Sequence, residues 1–169
     1  PAQADTAIFY SISNAQRGLA GISFGGFLIK RVAELLQAEF PKLKAFATLS
    51  PIPGFRAWLD EGVEVGALAP ETWAALRAVG AGDPDALKSR LAAPDWASDG
   101  TGEPFKAALL RLGARYLLEA RREGTRARDP VAHFHLSNGA RMERLNWMGD
   151  RSPKGIGESC GLMINYLYR

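Results

Sequence analysis

The sequence predicts a mixed α/β (α+β) domain: a mixed sheet carrying a helical insertion. Three observations predict it. Two strand-like runs, Ala7–Ile12 and Leu43–Leu49, flank the best helical stretch, Phe24–Phe40. A block rich in Ala, Leu and Arg, about residues 56–128, then carries prolines at the spacing of helix starts. Two further strand-like runs, Arg141–Trp147 and Leu162–Tyr168, follow that block.

Ala7–Ile12 is rich in β-branched and aromatic residues, as a strand requires. Asn14–Gly21 is turn-rich. In Phe24–Phe40, residues Phe24, Phe27, Leu28, Val32, Leu35, Leu36 and Phe40 recur at steps of three and four, which makes one apolar face. Lys30, Arg31, Glu34 and Gln37 take the other face, and Pro41 marks the end. Strand, helix and strand at this spacing form a βαβ unit with parallel strands. In the insertion, Pro70–Val79, Pro84–Leu91 and Pro104–Glu123 each open with the proline that fits the first turn of a helix. Glu119–Arg128 holds Arg121, Arg122, Arg126 and Arg128 and reads as a solvated face or loop. Val131–Leu136 is a short segment ending at the Asn138-Gly139 turn signal. Arg141–Trp147 alternates imperfectly. Ser152–Gly161 reads as a glycine-rich loop and Leu162–Tyr168 as a last strand.

The chain has 169 residues, 47% hydrophobic and 23% charged, which suits one globular domain or part of one. A net charge of +3 does not imply nucleic acid but suits an anionic small ligand. A single cysteine, Cys160, forbids an internal disulfide and fits a reducing compartment, and the Ala-, Arg- and Gly-rich usage without a targeting segment leads to the expectation of a cytoplasmic protein. No run approaches the ~18 apolar residues of a membrane span. No signal peptide opens the chain. The start at Pro1 and the stop at Arg169, just after a strand-like run, are expected of a piece of a longer protein.

Two stretches carry candidate chemistry. In Thr48-Leu49-Ser50-Pro51-Ile52-Pro53-Gly54-Phe55, two prolines and a glycine stop the strand, and each proline holds the residue before it extended. Ser50 reads either as a surface turn serine or as a hydroxyl held rigidly at a cleft. The second stretch is the small-residue loop Arg17–Gly26 opening the long helix. It reads either as a loop needing glycine for its turns or as a pyrophosphate cradle at a helix N-terminus. Within it Gly21-Ile22-Ser23-Phe24-Gly25 matches the nucleophile-elbow pattern, and Ser23, Asp129 and His135 follow the chain order of an α/β serine hydrolase. That motif needs a strand running into the serine, and Gln16–Ala20 is a poor one.

Read together, several blocks resemble one family. They are Phe9-Tyr10-Ser11-Ile12-Ser13, the glycine loop with Phe27–Arg31, and Leu49-Ser50-Pro51-Ile52-Pro53-Gly54-Phe55. The later ones are Phe134–Ala140, Asn146-Trp147-Met148, Ser159-Cys160-Gly161-Leu162-Met163 and Asn165-Tyr166. In this order they resemble malonyl-CoA decarboxylase, in its C-terminal catalytic region. The resemblance runs from about Ala7 to the end and is loose in the insertion.

The resemblance implies a GNAT-like (acyl-CoA N-acyltransferase-type) catalytic domain. Residues 1–169 would be a fragment of it, interrupted at about 56–128 and lacking the early strands. It implies conversion of malonyl-CoA to acetyl-CoA and CO2 with no metal or organic cofactor. The implied partners are substrate and product, with neither nucleic acid nor membrane. The full-length protein is expected to be a homo-oligomer. The implied catalytic residues are Ser50, His135 and Tyr168, and the CoA-binding loop is Ala20-Gly21-Ile22-Ser23-Phe24-Gly25-Gly26. Some members carry glutamate where this chain has Ser23. The alternatives are a serine hydrolase using Ser23, a CoA-dependent N-acyltransferase, and a non-catalytic CoA-binding fragment.

Losing CO2 from a malonyl thioester leaves an enolate, so the protein must stabilise that oxygen and supply a proton to carbon. A hydroxyl and an imidazole can do both, and such acid–base help is worth ~10²–10⁴-fold. Taken singly, the same residues have plainer readings. His135 is a half-buried histidine beside Phe134, Tyr168 a strand aromatic, Trp147 a core residue and Cys160 a small buried hydrophobe. On a strand, His133 and His135 would share a face and form a conceivable metal pair with Cys160 as a distant third ligand.

Overall fold

The computed structural model describes residues 3–10, 25–61, 69–93, 96, 102–122 and 124–168. It has a mixed α/β architecture built on a five-stranded mixed sheet. β1 (Thr6–Phe9) leads to α1 (Gly25–Glu39) and β2 (Ala45–Thr48). β1 and β2 are parallel, in the register Thr6↔Ala45 to Phe9↔Thr48, as the βαβ spacing predicts. The sheet order is β1, β2, β7 (Met163–Tyr168), β3 (Ser50–Pro51), and β6 (Arg141–Asn146) also pairs with β7. β7 is antiparallel to β2, with Phe46 opposite Tyr168 and Ala47 opposite Leu167.

The described chain falls into two compact units. The first comprises Pro1–Ser50, Phe134–Arg144 and Ile164–Arg169. In it, β7 alternates: Ile164, Tyr166 and Tyr168 are buried on one side. The apolar stripe of α1 differs from the predicted one. Ile29 is buried and Val32, Ala33 and Leu36 are partly covered, whereas Phe27, Leu28 and Leu35 are exposed. The helix carries more apolar residues than one contact face covers, so the three-and-four spacing alone does not choose the buried set.

The second unit comprises Pro51–His133 and Leu145–Met163. Its helices are α2 (Phe55–Asp60), α3 (Pro70–Ala78), α4 (Pro84–Ala92) and α5 (Gly102–Glu119). Asp83 caps α4, its carboxylate accepting from Ala86 N–H at 2.8 Å, with Pro84 in the first turn. α5 buries Phe105, Leu109, Leu112 and Tyr116 along one side. Tyr116 meets Phe55 and Trp58 at ring separations of 5.9 and 5.4 Å. Where α5 carries Gly113, a Cβ would stand 2.8 Å from Leu162 Cδ1, so only glycine lets that contact close.

Three segments depart from the sequence reading. Arg121, Arg122 and Arg126 are exposed, as a solvated face requires, but they belong to two short antiparallel strands, β4 (Arg121–Arg122) and β5 (Arg126–Ala127), rather than to a loop. Val131–Leu136 lies in a helix, α6 (Pro130–Ser137). Ser152–Gly161 is not a loop but contains α7 (Pro153–Ser159), capped by Ser152, whose hydroxyl accepts from Gly155 N–H. Gly155 serves packing rather than a turn: a Cβ there would lie 2.3 Å from Asp150 Cγ. The helix stops at Cys160, which is left-handed (φ 51°). Among the described residues no helix is long and apolar enough to cross a membrane.

Candidate active site

Ser50 stands where β2 gives way, after Leu49, to the two-residue β3. It is 5% exposed, so it is not a surface turn serine. The Pro51 that follows keeps it extended and the strand direction aims its side chain inward.

His135 comes from α6. Asp129 caps this helix, its Oδ1 accepting from Val131 N–H at 3.0 Å and Ala132 N–H at 2.9 Å. Pro130 fills the first helical position, where its missing N–H costs nothing. The helix ends at Asn138-Gly139, with Gly139 at φ 82° and Ala140 N–H donating to His135 carbonyl oxygen. On a helix, residues two apart point to different sides, so His135 is buried and His133 exposed. This corrects the shared face expected of a strand and removes the metal pair. Cys160 is buried, and burial pushes its thiol up to about 12, well away from a thiolate ligand. Among the described residues no cluster of three His, Cys, Asp or Glu side chains is placed to hold a metal ion.

The first unit brings three of the sequence-predicted residues together. Ser50 Oγ lies 3.2 Å from His135 Nε2, and Tyr168 Oη lies 2.8 Å from His135 Nδ1. The imidazole stacks on Tyr166 at 4.4 Å and meets Phe134 edge-on at 5.0 Å. Both ring nitrogens thus face neutral hydroxyls, and 2% of the residue is exposed. Burial lowers the His135 pKa to about 4 and raises that of Tyr168 to about 12. Near neutrality the ring carries one proton and no charge. With the phenol donating to Nδ1, that proton sits on Nε2, facing Ser50.

Two residues absent from the sequence-derived set join them. The Ser50 hydroxyl donates to Thr48 Oγ1 at 2.9 Å, and Tyr166 N–H donates to the same oxygen at 3.3 Å. Thr48 precedes Ser50 by two in an extended chain, and that spacing was the signal for it. Asp129, weighed only as a hydrolase acid, has another job. Its carboxylate takes Val131 and Ala132 N–H, Gly54 N–H at 3.4 Å and Tyr116 Oη–H at 3.4 Å. Burial raises its pKa, and the N–H groups of Ala132, Gly54 and Val131 pull it back. The Nδ1 partner of His135 is a phenol rather than a carboxylate, so Asp129 does not orient this imidazole as a hydrolase acid would, and Ser23 lies outside the described residues. Of the predicted CoA loop, Ala20–Phe24 lie outside the described residues, and Gly25 and Gly26 open α1.

A family model described as the malonyl-CoA decarboxylase C-terminal domain matches residues 1–169. The mitochondrial malonyl-CoA decarboxylase of Rattus norvegicus is 47% identical over 172 residues, covering 96% of this chain and 35% of that protein. That of Anser anser anser is 44% identical over 173 residues, covering 96% and 34%. The crystal structure of malonyl-CoA decarboxylase from Rhodopseudomonas palustris superposes with a TM-score of 0.79 at 47% identity, over 99% of this chain and 36% of that one. The one from Cupriavidus metallidurans gives 0.82 at 46% identity, over 97% and 42%. The chain therefore spans about a third of the length of these full-length relatives from rat and goose. With the whole chain matched, it belongs to the malonyl-CoA decarboxylase C-terminal domain family.

Proposed function

We propose that the protein decarboxylates malonyl-CoA to acetyl-CoA and CO2, with Ser50 and His135 as its catalytic pair and Tyr168 as the group that sets the histidine tautomer. One observation carries this reading: in a chain of this family, a buried neutral imidazole is held between a strand-end serine and a phenol. The carbon–carbon pair released with CO2 passes into the thioester carbonyl and makes an enolate. Ser50 Oγ–H delivers its proton to the enolate carbon. The serine oxygen left behind accepts from His135 Nε2–H until solvent returns a proton, so one solvent proton is consumed per turnover. No acyl-serine forms.

Residues 1–169 are part of one GNAT-like catalytic domain with a helical insertion at about 56–128, supported by the mixed sheet and by α2–α5 inside those bounds. The CoA pyrophosphate sits against Ala20–Gly26, supported by the small residues that open α1. The full-length protein is a cytoplasmic homo-oligomer, the location supported by Cys160, which is free and buried and is the one cysteine of this chain.

The test is turnover of malonyl-CoA, with no amine present, by the full-length protein. Ser50→Ala and His135→Ala should each depress kcat strongly, and the double variant should lose little beyond the worse single one. Folded single variants with near wild-type turnover would refute the assignment. CO2 release that requires an amine acceptor would indicate an N-acyltransferase, and fluorophosphonate labelling of Ser23 a hydrolase.

A further inference from the structure

The polar chain through the site continues past Ser50. Thr48 is fully buried, with 0% of the residue exposed. Its Oγ1 has one proton and two lone pairs. Tyr166 N–H occupies one lone pair at 3.3 Å, and Ser50 Oγ stands 2.9 Å from the same oxygen. The Thr48 carbonyl is fixed too, accepting from Asn165 Nδ2–H at 2.8 Å. A hydroxyl pinned on both its backbone and its oxygen has one motion left, rotation of its proton.

We propose that Thr48 is a positioning residue for the decarboxylation, acting through Ser50. The proposal rests on the reading of Ser50 and His135 given above. At rest Ser50 Oγ–H points at Thr48 and accepts from His135 Nε2–H. When the Thr48 proton turns towards Ser50, the serine proton is freed for the enolate carbon. The serine oxygen then has two donors, His135 Nε2–H and Thr48 Oγ1–H, where burial leaves little water to serve instead. The Tyr166 N–H bond to Thr48 strengthens that second donation, because chained hydrogen bonds polarise one another. A methyl group in place of the hydroxyl can neither fix the Ser50 rotor nor donate to its oxygen.

The experiment compares Thr48→Val, Thr48→Ser, Ser50→Ala and the Thr48→Val/Ser50→Ala double variant in the full-length protein. The readouts are kcat and KM for malonyl-CoA. Thr48→Val should lower kcat by about 10²-fold, the scale of losing one donor at a developing oxyanion, with KM within a few-fold of wild type. Thr48→Ser should restore kcat to within a few-fold. Adding Thr48→Val to Ser50→Ala should cost nothing further. Wild-type kcat in Thr48→Val beside an inactive Ser50→Ala overturns the role of Thr48 and leaves the serine reading standing. An active Ser50→Ala overturns both. An equal loss in Thr48→Ser, or a further loss in the double variant, marks a packing role and also overturns the proposal. If valine does not fold, Thr48→Cys, with similar bulk and a weak donor, carries the comparison, and wild-type kcat there is likewise contrary.

Discussion

Lowering the pH should destabilise this protein through His135 in a way that can be isolated. The ring is buried on Tyr166 between the hydroxyls of Ser50 and Tyr168, and among the described residues no carboxylate bonds to it. Its pKa falls from 6.5 to about 4 because burial penalises the imidazolium. In the unfolded chain the ring titrates normally, so between these values the unfolded state binds more protons. Stability is then fully present above pH 6.5 and is lost as pH falls towards about 4. A gap of about 2.5 units at 1.36 kcal/mol each is about 3 kcal/mol in all, of which about 2 kcal/mol is gone by pH 5. The assay is urea unfolding at pH 7.5 and pH 5 for wild type and His135→Gln. Carboxylates titrate in both proteins, so the wild type should lose about 2 kcal/mol more than the variant. Equal losses would mean the ring is hydrated or paired with a charge in solution, and the neutral-imidazole argument would fall with them.

Three other perturbations probe the surroundings. Gly25→Trp should weaken CoA binding markedly by calorimetry, and unchanged affinity counts against the proposed loop. Asp129→Ala removes the α6 cap, about 1 kcal/mol, and strands the Gly54 N–H and Tyr116 hydroxyl donors, about 1–3 kcal/mol more; denaturant unfolding should show a total of about 2–4 kcal/mol, and a loss below about 1 kcal/mol would rule the clamp out. Gly54→Ala should cost about 1–3 kcal/mol by overpacking, because its Cβ would lie 2.1 Å from Tyr116 Oη while φ of −85° suits alanine; an unchanged unfolding midpoint would show that Tyr116 moves aside freely.

The parallel β1–α1–β2 unit was legible because its elements are long and their periods differ, about 3.6 against 2. The short elements were not. Val131–Leu136 offers six residues with no clear period, and Ser152–Gly161 looked like a loop because of its three glycines. Yet each opens with a capping residue and a proline, Asp129-Pro130 and Ser152-Pro153, the same dipeptide signal that marks α4 at Asp83-Pro84. The proline rule, applied throughout the chain, would have found α6 and α7. The buried set on α1 was not legible in the same way, since its apolar residues outnumber the positions that are covered.

The site was legible in its ends and hidden in its middle, for a topological reason. Ser50 is marked by the prolines after it, and His135 and Tyr168 by family resemblance. What joins them is the antiparallel insertion of β7 beside β2, a pairing between residues more than a hundred positions apart. The antiparallel register sets Phe46 against Tyr168 and Ala47 against Leu167, and one step further brings Thr48 alongside Tyr166. That step makes Tyr166 N–H a partner for Thr48 while the Tyr166 ring supports the imidazole. The helical phase of α6 does the rest. On a strand, His133 and His135 would point the same way and suggest a shared cation. On a helix they part, His133 faces solvent, and His135 alone enters the buried chain of hydroxyls. A single neutral imidazole between two hydroxyls can hand on protons and steady an oxyanion, which is what loss of CO2 from a malonyl thioester requires.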